Sequence, residues 1–156
     1  MHLYLVQHGA AKCEAEDPHR GLTNEGRRDV ERIAKFLAPL RLSLDRIEHS
    51  GKLRARQTAE ILAAHLRPAE GTHEIAGLAP HDDVEPVCVR LQQELKNLMV
   101  VGHLPHLSHL ASRLLGLERN RAIVRFQMAG VARLDRDEVG QWEVRWVFPP
   151  ELLPLG

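Results

Sequence analysis

Cysteine is scarce in this sequence: Cys13 and Cys88 are its only two in 156 residues. One pair makes no disulfide framework, and the two lack the spacing of metal ligands. Both read as free thiols, the state that a reducing cytoplasm maintains. An excess of charge of either sign is also missing, since Lys plus Arg and Asp plus Glu number 21 each. Net charge therefore supplies no attraction to nucleic acid or to a membrane surface. No apolar run approaches the length of a membrane span, and no basic segment precedes a hydrophobic stretch at the N-terminus. Repeats, low-complexity tracts and internal linkers are absent as well. What remains is one domain over residues 1–156, expected to be cytoplasmic and long enough to bury a sizeable core without staples.

The stretch that organises the chain lies near its start, at Leu3-Tyr4-Leu5-Val6-Gln7-His8-Gly9. Its short apolar run reads as a buried strand over 3–6. That strand stops at an amide, an imidazole and a glycine, at the end where open α/β sheets bind ligands. Gly9, lacking a Cβ, is expected to let the backbone turn sharply and a substrate approach closely. An ordinary strand exit with a surface histidine is the plainer alternative at this point.

Residues 11–21 read as a loop broken by Pro18. Thr23 is a good N-cap, and Val30, Ile33, Ala34, Leu37 and Leu40 recur at helical steps up to Pro39. A short strand is expected over 46–50 and a helix over 53–66, with Ile61, Leu62 and Leu66 inward. A weak strand over 73–75, a loop over 77–83 and a helix over 85–96 follow. Residues 98–101 form the second clear buried strand, and it too ends in glycine and histidine, Gly102-His103. Pro105 is placed in the first turn of a helix through Leu115. Residues 125–134 and 141–148 read as a hairpin around a turn-rich 135–140. Strands alternating with helices predict a single three-layer α/β/α domain, with a mostly parallel central sheet and a C-terminal β-hairpin.

His8, Arg54 and His103 stand at strand ends or helix starts, positions that converge on one rim of an α/β sheet. Two imidazoles and a guanidinium suit oxyanion chemistry: a neutral His attacks phosphorus while the others neutralise its oxygens. Phosphoryl transfer needs little beyond such positioning and charge stabilisation. The helix after His103 can add backbone donors. Each residue read separately is equally a surface or cap residue.

Four ordered pieces then resemble the histidine phosphatase superfamily, the group that includes phosphoglycerate mutases. They are Leu5-Val6-Gln7-His8-Gly9; Leu22-Thr23 with Gly26; Ser50 through Leu53-Arg54-Ala55 to Gln57-Thr58-Ala59; and Val101-Gly102-His103-Leu104-Pro105. Short length and His-Leu-Pro look most like its compact SixA-type phosphohistidine phosphatase branch. The resemblance covers nearly the whole chain. It implies that His8 is the nucleophile and becomes transiently phosphorylated, that Arg54 and His103 bind the transferring group, and that no metal or cofactor is required. It also implies a phosphorylated protein as partner, a phosphohistidine-bearing signalling or phosphotransfer domain.

One position departs from the family pattern. Gln7 stands where the family has Arg. A hydrogen bond to a charged group is worth about 1.5–3 kcal/mol, against about 1 for a neutral one. Losing one preorganised donor at such a site costs roughly 10²–10³ in rate. Arg20, in the loop after the first strand, is the preferred substitute cation. Lys12 is a weaker choice, and Arg56 points away from Arg54 around its helix. Gln7, Gly9 and Arg20 are thus the expected substrate-binding residues beside the catalytic His8, Arg54 and His103. Larger superfamily members place a carboxylate beyond the third strand, where this chain offers Asp82, Asp83 and Glu85. A phosphohistidine substrate relaxes that need, because imidazole leaves more readily than an alkoxide. His103, His106 and His109 at three-residue steps spread around one side of a helix, a poor zinc geometry. Arg119, Arg121 and Arg125 read as a solvated charged edge.

The expected function is therefore hydrolysis of phosphohistidine on a protein, through a covalent intermediate on His8. The rival readings are a small phosphate-ester phosphatase and a non-catalytic phosphate-binding regulator marked by Gln7.

Overall fold

A computed structural model describes residues 1–118 and 120–155 of the chain. Its strands are β1 (His2–Gln7), β2 (Arg46–His49), β3 (Thr72–Glu74), β4 (Leu98–Gly102), β5 (Val131–Arg136) and β6 (Trp142–Phe148). Its helices are α1 (Asn24–Leu37), α2 (Leu53–Leu66), α3 (Glu85–Gln93) and α4 (His106–Leu114). The six strands form one sheet in the order β3-β2-β4-β1-β5-β6. β3, β2, β4 and β1 run parallel, and the β5–β6 hairpin adds antiparallel to β1.

Alternation along β1 assigns the layers. Leu3 and Leu5 pack with Val87, Leu91, Leu107 and Leu110 of α3 and α4. Tyr4 and Val6 pack with Val30, Ile33 and Leu62 of α1 and α2 on the opposite face. β4 is buried along its whole length, as a central parallel strand covered on both faces must be.

α1 starts where its cap predicts, with Gly26 N donating to Thr23 Oγ1 at 2.9 Å. Val30, Ile33, Ala34 and Leu37 are buried, but Leu40 is 52% exposed. It falls in a 3-10 turn (Ala38–Leu40) after the helix, where the helical repeat no longer directs it inward. On α2, Ile61 and Leu62 are buried while Leu66, in the last turn, is only partly covered.

Most expected boundaries shift by a residue or so, and three departures have a clear structural cause. α3 stops at Gln93 instead of Lys96, because Glu94 turns extended and the Arg136 guanidinium donates to the carbonyls of Leu91 and Glu94. Pro105 is the N-cap of α4 and not a first-turn residue. The first hairpin strand begins at Val131 instead of Arg125 and runs on to Arg136. Residues 125–130 instead reach the end of β1, where Ala129 N donates to Gln7 O, and the left-handed φ of Ala129 (65°) turns the chain into β5. Arg119 of the expected charged edge lies outside the described residues, and Arg121 and Arg125 are exposed. No helix among the described residues is long and apolar enough to cross a membrane.

Candidate active site

Register brings the two histidines together. β1 and β4 are parallel neighbours with Gln7 opposite Gly102, so the next residue of each strand exit is His8 and His103. Their ring centroids are 5.0 Å apart. β4's other neighbour is β2, with His49 opposite Val101, which sets Ser50 beside the same exit. Ser50 Oγ lies 2.6 Å from His103 Nε2. Arg54 enters from the first turn of α2, directly after this row.

His8 is held in one tautomer. Its Nδ1 lies 2.7 Å from the Gly9 carbonyl, which can only accept, so the proton sits on Nδ1 and the Nε2 lone pair is free. Burial lowers the His8 pKa; the Gly9 bond opposes this, and the Arg54 and Arg20 charges lower it further. His103 is 1% exposed. Its pKa falls to about 3 through burial and then the charges of His8, Arg54 and Lys52. Both rings are neutral at neutral pH. Burial, then the charge of Arg20, lowers the Arg54 pKa.

Arg20 is delivered by a tied loop. Lys12 N donates to Gly21 O, and the Asp17 carboxylate accepts from the backbone N–H groups of His19 and Gly21. Arg20 itself has a left-handed φ of 51°, and its Nε donates to the Lys12 carbonyl. It lines a cleft of about 570 Å³ together with Lys52, Arg54, His81 and Asp82. Arg56 is exposed and faces Glu60 instead. Of the three acidic candidates, Asp82 alone lines this cleft, its Oδ2 accepting from Ala79 N. Asp83 accepts from Glu85 N, and Glu85 pairs with Arg113.

Gly9 serves packing more than approach. A Cβ there would sit 2.8 Å from Val30 Cγ2 and 3.0 Å from the Gly26 carbonyl, so the demand comes from α1. Gly9 N donates to Thr58 Oγ1 at 3.1 Å. Thr58 stands in the sequence only as part of a motif with no role attached, although it lies one helical turn from Arg54 and so on the same side of α2. Ser50 was legible only as part of a motif. Among the described residues, Gln7 keeps a buried Oε1 without a partner, and Arg54 Nε and His103 Nδ1 are likewise buried and unpaired. His106 is buried at the start of α4 and His109 half-buried, and no group of three His, Cys, Asp or Glu among the described residues is arranged to hold a metal ion.

A neutral imidazole with a free nitrogen, two guanidiniums and an open cleft at the strand ends define the class: a phosphatase of α/β fold. Residues 3–78 match the family model of the histidine phosphatase superfamily (branch 1). The phosphohistidine phosphatase SixA of Escherichia coli strain K12 is 27% identical over 155 residues, covering 96% of this chain and 94% of that protein. An uncharacterized protein of Picosynechococcus sp. is 38% identical over 119 residues, 71% of each chain. The solved structure of the protein histidine phosphatase SixA complexed with tungstate superposes with a TM-score of 0.86 at 25% identity, over 97% of this chain and 99% of that one. An alpha-ribazole phosphatase from Shigella flexneri shares the fold, with a TM-score of 0.77 at 17% identity over 96% of this chain and 97% of that one. The chain belongs to the histidine phosphatase superfamily.

Proposed function

We propose that this protein hydrolyses phosphohistidine on a partner protein, through a covalent phosphohistidine on its own His8. The observation that carries the reading is the His8 ring, fixed with Nδ1–H on the Gly9 carbonyl and Nε2 bare, beside two guanidiniums. In the proposed first step Nε2 attacks phosphorus, and the bond from phosphorus to the substrate imidazole breaks. The released imidazole nitrogen takes a proton from water. In the second step water attacks the phosphorus on His8, the phosphorus–Nε2 bond breaks and inorganic phosphate leaves, and the proton released from the attacking water neutralises the hydroxide left by the first step. Arg54 and His103 flank the transferring group. Arg20 supplies the charge that Gln7 lacks, since it acts on both His8 and Arg54. These steps use only protein groups and water.

The partner class follows from the walls of the cleft. Between β3 and β4 the chain supplies one loop and the nine-residue α3. After His103 it passes through α4 and residues 115–130 to the hairpin, and the cleft is walled by the loops that follow β1, β2 and β3, with no separate lid among its lining residues. A phosphorylated side chain standing on a signalling or phosphotransfer domain in the cytoplasm suits such an opening. The E. coli relative is a phosphohistidine phosphatase by name, and the tungstate in the SixA structure is a tetrahedral oxyanion like phosphate. Asp82 in the cleft favours the rival reading, because it can protonate the alkoxide of a small ester.

The deciding experiment incubates the pure protein with a phosphohistidine-bearing domain and a panel of small phosphate esters, measuring released phosphate. Rapid denaturation during turnover should trap acid-labile phosphate on His8, and His8→Ala should be inert. Faster turnover of an ester than of any phosphohistidine protein would establish the ester reading. No turnover with any of them, together with phosphate binding, would mark a regulator.

A further inference from the structure

We propose that Ser50 is a phosphoryl-binding residue, donating its hydroxyl proton to a phosphoryl oxygen while His103 and the Lys52 backbone occupy its two lone pairs. The proposal deepens the phosphatase reading and rests on it.

The placement comes from strand order. With β2, β4 and β1 adjacent, the residues following the three strands put Ser50, His103 and His8 in one row. Arg54, four residues after Ser50, lies in the first turn of α2, and its buried Nε has no partner among the described residues.

The donor direction comes from counting protons. His103 is 1% exposed and surrounded by Arg54, Lys52, His8 and His106, so its ring is neutral and carries one N–H. Its Nδ1 is buried without a hydrogen-bond partner among the described residues. A buried N–H with no acceptor is rarer and costlier than a bare ring nitrogen, so the proton belongs on Nε2. Nε2 then donates to Ser50 Oγ across 2.6 Å. The Lys52 backbone N–H approaches the same oxygen at 3.4 Å. A hydroxyl has two lone pairs and one proton. Both lone pairs are engaged, and among the described residues nothing accepts the proton. The half-buried hydroxyl therefore offers its O–H beside the cleft that Lys52 and Arg54 line. An O–H to an anionic oxygen is a short, charge-assisted bond. In this arrangement neutral His103 orients a donor, and it need not become an imidazolium to help hold the oxyanion.

The test uses tungstate as probe. Its binding to the parent, Ser50→Ala and Ser50→Thr is measured by calorimetry, and the His103 ring nitrogens are read by ¹⁵N NMR in the parent. Ser50→Ala should weaken tungstate binding roughly 10–100-fold, the worth of one hydrogen bond to a charged group. Ser50→Thr should keep most of the affinity. The parent spectrum should show a protonated Nε2 and a bare Nδ1. Tungstate binding by Ser50→Ala within a factor of two of the parent overturns the proposal. So does a proton on Nδ1, because the hydroxyl would then be spent on the imidazole; this result is available even if Ser50→Ala fails to fold. Neither readout involves a substrate, so failure to turn over phosphohistidine counts against the functional reading and leaves this one to stand or fall separately.

Discussion

Replacing Thr58 by valine keeps the shape of a fully buried side chain and removes one hydroxyl. In the parent that hydroxyl donates to the Arg54 carbonyl at 2.8 Å and accepts the Gly9 N–H at 3.1 Å. The carbonyl belongs to the α2 ladder and keeps a partner. The Gly9 N–H, buried under α1, has no other acceptor among the described residues. A buried donor left unpaired costs about 1–3 kcal/mol. Unfolding entropy of about 2.1 cal/mol/K per residue converts this into a fall in Tm of roughly 3–9 °C for a chain of this length. The same change reaches the chemistry, because the Gly9 carbonyl holds His8 Nδ1. Freed of this anchor, Gly9 can shift, carrying its carbonyl with it and re-aiming Nε2, and a misplacement near 1 Å costs on the order of 10² in rate. Thermal unfolding followed by circular dichroism, with kcat measured on the same samples, tests both parts. Thr58→Ser should keep the parent kcat and lose only the roughly 0.8 kcal/mol of its buried methyl in stability. A Thr58→Val protein melting within about 1 °C of the parent would refute the energetic argument, since an orphaned donor must lower Tm by more than that. A lowered Tm with unchanged kcat would refute the link to His8.

Gln7→Arg should tighten tungstate binding and raise phosphatase activity, while Arg20→Ala should lower both; an inert Gln7→Arg variant would favour the regulator reading. Glu48 is fully buried between the partly exposed Arg46 and Arg90, so Glu48→Ala should cost about 1.5–3 kcal/mol in chemical denaturation, the worth of hydrogen bonds to a charged group. Burial lowers the pKa of His103 and His106, so the unfolded chain binds protons that the folded chain refuses. Stability is then full above pH 6.5 and falls as pH drops below it, by up to about 1.4 kcal/mol per pH unit per histidine. For His103 that decline continues towards about pH 3, and a urea midpoint unchanged between pH 7 and 5 would contradict it. Gly26→Ala should fold poorly or not at all, because its Cβ would overlap the Ala10 backbone.

The amino-acid pattern alone determined the order of the elements and which residues stand at the strand exits. The apolar runs of β1 and β4 each stop at a histidine, and a cap followed by a helical repeat marks α1, signals that lie within a few residues of one another. The four motif pieces indicate which family those elements build. Gln7 is visible as a departure in the same way. What the tertiary structure decided depends on pairings between distant segments. Strand order makes Ser50 the neighbour of His103, 53 residues away. Packing against α1 explains Gly9, whose neighbours Val30 and Gly26 no local reading connects to it. The Asp17 turn and the left-handed backbone of Arg20 bring that cation to the cleft. Arg136, on β5, ends α3 by bonding its last carbonyls. Local periodicity reports which face of an element is buried; only the closed sheet reports which side chains then meet, because hydrogen-bond partners and burial are properties of the neighbours as much as of the residue.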